Sequence, residues 1–114
     1  MSKQSISVLS LSVALTGSVL ANRFVTPAGA QAGADAVALG VAQTAGSANA
    51  LVAVDVLGVA AVEAGAPITV GQTLKVDAQG RAIPWASTGA KVGIALEPAG
   101  AAGQFIEVLL LPNA

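Results

Sequence analysis

The chain has 114 residues, a formal net charge of −1, 54% hydrophobic but only 10% charged residues, and neither cysteine nor histidine. Lacking a basic excess, it has no electrostatic footprint for tracking phosphates, which argues against nucleic acid as a ligand. Lacking cysteine, it can form neither a disulfide framework nor a thiolate metal site. Aromatics make up only 3%, so the apolar content is mostly Ala, Val and Leu. At this length that predicts one small domain with a thin core, gaining further burial from partners.

The first element lies in "SISVLSLSVALTG". Leu9, Leu11, Val13 and Leu15 alternate with Ser10, Ser12, Ala14 and Thr16, the period-two pattern of a half-buried strand. Ile6 and Val8 sit in the opposite phase, and the slip at Val8–Leu9 predicts a bulge. The same stretch has a second reading. Lys3, then an apolar run from Ile6 to Leu15, then small residues ending at Ala21 or Ala30, has the outline of a secretory leader. The serines that interrupt the run fit strand pairing better than a helical leader. No apolar run reaches the roughly 18 residues that span a bilayer as a helix.

Residues 26–46 are rich in Ala and Gly and read as a connection. A short helical turn is expected at Ala34 to Leu39, bounded by Gly33 and Gly40. Next, Val52, Val54 and Val56 share one strand face with Asp55 on the other. Gly58 marks a break or bulge before a second short strand, Val59 to Glu63. Asp77-Ala78-Gln79-Gly80 has the residue order of a type I turn and should join Thr73–Val76 to Arg81–Ile83, with Pro84 ending that strand or keeping it at an edge. Lys91–Leu96 and Phe105–Leu111 complete the set. Short, closely spaced strands predict an all-β small barrel or sandwich. Residues 1–22 form an extended N-terminal strand or arm, and residues 23–114 a single β-domain. "LGVAQTAGSANALVAVDVLG" and "VGIALEPAGAAGQFIEVLLLP" form a weak repeat, a strand–loop–strand unit in which Asp55 matches Glu107.

Catalytic chemistry has little to work with. No imidazole is present to serve as a base for a nucleophilic triad. The carboxylates Asp35, Asp55, Glu63, Asp77, Glu97 and Glu107 show no paired spacing. Asp77 reads as a turn residue. Asp55 and Glu107 read as outward charges that discourage edge aggregation. No run of converging oxygens suggests a hard-metal site, and no glycine pattern suggests a phosphate cradle. Trp85 reads as the largest core plug. No catalytic, metal or cofactor-binding residue is therefore assigned, and no small-molecule substrate or membrane partner is expected. The alternating N-terminal segment suits strand addition to another chain.

"VEAGAPITVGQTLKVDAQGRA", with its Gly-Gln and Asp-x-x-Gly turns, and the closing "GIALEPAGAAGQFIEVLLLP" resemble the small capsid decoration, or cement, proteins of tailed bacteriophages. The likeness runs from about Ser5 to Pro112. It implies a non-enzymatic virion protein on the outer surface of the capsid, made in the host cytoplasm, binding major capsid protein and commonly trimeric. It implies no cofactor. The analogous capsid-contact arm here would be Ile6, Val8, Leu9, Leu11, Val13 and Leu15. Assembly in the host cytoplasm leaves no place for a cleaved leader. The alternatives are a secreted or surface bacterial β-domain with such a leader and, with Trp85 as its one support, a carbohydrate-binding module.

Overall fold

A computed structural model describes the backbone of residues 6–110 and the side chains of residues 9–110. Eight strands follow in chain order: β1 (Ile6–Ala14), β2 (Phe24–Val25), β3 (Gly40–Ala42), β4 (Leu51–Glu63), β5 (Thr73–Val76), β6 (Ala82–Pro84), β7 (Gly93–Ala95) and β8 (Phe105–Leu110). They form one sheet in the order β2-β3-β4-β8-β7-β5-β6, with β1 paired to β4 off this path. The named pairings are antiparallel. Just past β4, Ala64 meets Ala82 of β6 in a parallel bridge, and Gly65 N–H donates to Ala82 O at 2.8 Å. The sheet thus curls back on its longest strand. The fold is an all-β small barrel, nearly closed, rather than a sandwich.

β4 runs for 13 residues and serves two cores. Ala60 and Val62, with Ala64 just past the strand, enter the main one with Phe24, Leu74, Val76, Ile106 and Val108. Val52 and Val54 enter a smaller one with Leu15, Val19, Val25 and Ala42. Of the break or bulge expected at Gly58, the irregularity is present and the break is not: the β1–β4 register shifts beside the Ser7↔Gly58 pair, while β4 runs on. Glycine takes φ of 104° there, a value a side chain would resist, and the strand continues into Val59–Glu63 without ending. The slip predicted at Val8–Leu9 is present opposite this point. The β1–β4 register shifts between Ser7 and Leu9 and again between Leu9 and Ser10.

The β5–β6 hairpin forms where its turn residues put it. Asp77 Oδ1 accepts the N–H groups of Gln79 and Arg81 at 2.9 and 2.8 Å, and Gly80 closes the turn with φ of 78°. Pro84 ends β6. Residues 34–39 are not helical. Asp35 takes a left-handed φ of 59° and donates its N–H to Val76 O at 3.0 Å, which ties the segment to the end of β5. Trp85 is not the core plug; it is only half-buried, and Phe24 is the largest fully buried side chain. The predicted end of the last strand at Leu111 lies outside the described residues.

The repeat survives as architecture. β3–β4 and β7–β8 are antiparallel pairs, each entered by a glycine pressed against its partner. A Cβ on Gly40 would strike Asp55 O, and one on Gly93 would strike Val108 Cγ1 and Leu109 O. The carboxylates do not correspond, however. Val41 pairs with Asp55 and Ile94 with Leu109, so Leu109 stands where Asp55 does.

Candidate functional site: the edge strand β1

The carboxylates are held within the fold rather than gathered around a cleft. Glu63 accepts from Arg23 Nη2 at 2.9 Å, Asp77 from Arg81 Nε at 3.0 Å, and Asp35 from Lys75 Nζ at 2.8 Å. Asp55 and Glu107, expected to point outward, are 2% and 5% exposed. A buried charge must be hydrogen-bonded to be tolerated. Around Asp55 the partners come from neighbouring strands, as described below. Beside Glu107 lies a second buried carboxylate, Glu97, whose Oε1 accepts the Glu107 backbone N–H at 2.9 Å. Among the described residues no three carboxylates gather as a metal site would require. Trp85 donates its indole N–H to Gly89 O at 2.9 Å, and Lys91 Nζ sits 4.5 Å over its ring. The indole face is therefore already occupied.

The feature that stands apart is β1. It pairs with β4 from Ile6↔Val59 to Ala14↔Leu51, and its other edge pairs with no strand among the described residues. Its apolar residues are covered progressively along the strand. Leu9 is 44% exposed and Leu11 41%, Val13 is half-buried against Val52 and its neighbours, and Leu15 is 2% exposed in the smaller core. The alternation predicted a half-buried strand; only its C-terminal end is one. Among the described residues nothing completes the burial of Leu9 and Leu11. Of the six residues assigned to the arm, Ile6 and Val8 lie outside the described side chains. The other four are brought onto this one strand and its exit.

Edge strands are normally guarded by charge, by proline or by a covering loop, because free N–H and C=O groups invite another strand. From Ser5 to Gly17 the sequence has no charged residue and no proline. Leu51, opposite Ala14, adds a further exposed apolar side chain.

Sequence reasoning missed the polar arrangement on the other side of this strand. Ser10 Oγ donates to Asp55 Oδ1 at 2.8 Å. Gln43, just past β3, donates from Nε2 to Asp55 Oδ1 and to Ser10 Oγ, the latter at 3.2 Å. The available signal was Asp55 itself, a lone carboxylate inside an otherwise apolar 13-residue strand.

The protein-family model described as phage cement protein matches residues 3–110. Among solved structures, the chain is similar to the N base of head fiber gp8.5 in bacteriophage phi29. The identity is 25% and the TM-score 0.72, covering 90% of this chain and 93% of that one. No curated protein matches the chain.

Proposed function

The chain belongs to the phage cement protein family, and from that premise we propose that it is a capsid-associated structural protein that decorates the outside of a phage head. It acts by binding major capsid protein, with residues 1–22 as the docking arm around β1, and it reinforces the shell without catalysing a reaction. The observation that carries this reading is the uncharged edge of β1, which pairs with no strand among the described residues and leaves Leu9 and Leu11 44% and 41% exposed. An extended segment of a capsid subunit adding to that edge would extend the sheet and complete the cover of both leucines. Each leucine is already more than half covered, so completing its burial contributes about 1 kcal/mol. Several copies on one symmetric unit would raise the total by avidity. A trimer suits that arrangement and belongs to the same proposal.

The test is uptake of purified protein by undecorated heads, followed by heating. Wild-type protein should bind and raise the temperature at which heads release DNA. The double variant Leu9→Lys/Leu11→Lys should bind at least about tenfold more weakly while keeping its far-ultraviolet spectrum. Heads that ignore the wild-type protein would overturn the decoration role. Unchanged binding by the double variant would remove β1 as the contact.

A further inference from the structure

We propose that Asp55 and Gln43 are positioning residues for the docking strand: they stitch β1 to the sheet so that its free edge is presented in one fixed register. The inference rests on the reading of β1 as the contact, and adds the device that sets it.

β1 is held by two different means at its two ends. Toward its C-terminus it is fixed by apolar packing, with Val13 against the smaller core and Leu15 inside it. There Leu15 N–H also donates to Ala50 O, and Asn49 N–H to Leu15 O. Toward its N-terminus that packing weakens, since Leu9 and Leu11 remain partly exposed and belong to neither core. This is also where the ladder is least regular, with register shifts on both sides of Leu9. A strand whose register slips by one residue turns every side chain to the opposite face. The end meant to receive a partner is therefore the end least determined by the backbone and the core.

The polar cluster sits at that point. Ser10 is paired with Asp55 in the register, immediately after the second shift. Its hydroxyl meets the Asp55 carboxylate, and Gln43 spans both. Val41 of β3 also pairs with Asp55, so the carboxylate stands on β4 with β1 and β3 as its neighbours. Gln43 is anchored in turn by its own backbone N–H, which donates to Ala53 O at 3.0 Å. The stitch thus links three strands across the residue where β1 would otherwise be free to shift. Asp55 is buried and charge-assisted hydrogen bonds to it are the strong kind. A side chain at position 10 without a hydroxyl, or a register displaced by one residue, would take the Ser10 donor away from that carboxylate. Holding the edge in its bound form beforehand reduces the ordering that a partner must impose.

Gln43 makes the sharpest variant. It is exposed, lies outside β1 and β4, and belongs to neither core. An exposed Gln→Ala change with no such role leaves both exchange and binding unaltered. Hydrogen–deuterium exchange of the full chain is measured first, without heads. In Gln43→Ala the amides of Ile6–Ser12 should exchange about two- to tenfold faster, while those of β7 and β8 keep their protection. Asp55→Ala should do the same more strongly, and Asp55→Asn, which keeps an acceptor oxygen, should recover part of the protection. Head binding then falls in the same order. Unchanged exchange in β1 for Gln43→Ala would overturn the stitch, whatever the heads do. Faster exchange spread evenly over β1, β7 and β8 would also overturn it, by assigning these residues to general stability. Faster exchange in β1 with unchanged head binding would instead remove β1 as the contact and leave the stitch standing.

Discussion

β4 offers an internal comparison, because its two halves meet different fates. Its C-terminal half pairs with β8 and feeds Ala60 and Val62, both at most 1% exposed, into the barrel core. Its N-terminal half pairs with β1, whose leucines stay partly exposed and whose outer edge pairs with no strand among the described residues. Composition is nearly the same on both sides; Val, Ala and Leu dominate each. What differs is closure. In the barrel every strand finds a neighbour on the way round, and β6 returns to the end of β4. At the N-terminal corner no further strand follows among the described residues. Closure lets the barrel bury its own core, and the corner is where, on the proposed reading, another chain would add.

The largest expected effect lies in the barrel. Phe24→Ala removes its biggest buried side chain and should cost about 3–5 kcal/mol in denaturant unfolding. A loss near zero would mean the barrel does not depend on that anchor. Next come the two tight glycines. Gly93→Ala and Gly40→Ala each force a methyl into a partner strand, at about 1–3 kcal/mol. Gly93→Ala should lower the global unfolding midpoint. Gly40→Ala should be felt mainly as faster amide exchange in β1 and β3, and an identical footprint for the two would erase the distinction between corner and barrel. Smaller still is the intrinsic cost of Leu9→Lys/Leu11→Lys, within about 0.5 kcal/mol, as for exposed positions generally. A multi-kcal/mol loss by calorimetry would show these leucines to be core after all. Smallest is Lys75→Ala. Its partner Asp35 is nearly half exposed, so the pair should contribute under about 1 kcal/mol and less in salt.

The local signals were legible in the sequence wherever geometry is set by a few adjacent residues. The Asp77–Gly80 turn, the strands it joins, the stop at Pro84 and the bulge at Val8–Leu9 all depend on short-range rules. The all-β class followed from them. What was not legible depends on partners distant in the chain. Asp55 and Glu107 look like outward charges because a strand pattern cannot reveal that both will be buried, or that Ser10 and Gln43 will arrive from elsewhere to hydrogen-bond Asp55. Trp85 looks like a core plug by size alone, yet Phe24, next to a stretch read only as a connection, fills that place. Gly58 reads as a break or bulge because isolated glycines weaken strands; the register shifts beside it, and the long strand passes through at positive φ. For the edge itself, the alternation of Leu9 to Leu15 announced a strand with an apolar face. That the chain would leave half of this face uncovered became visible only when the rest of the sheet was in place.

The most direct test is a cryo-electron-microscopy reconstruction of heads saturated with the protein, at a resolution that traces backbone. If β1 is the contact, a segment of a major capsid protein subunit will run beside it, hydrogen-bonded along the edge opposite β4, with Leu9 and Leu11 covered. If the protein instead sits on the shell by another face and that edge remains in solvent, the central claim is wrong.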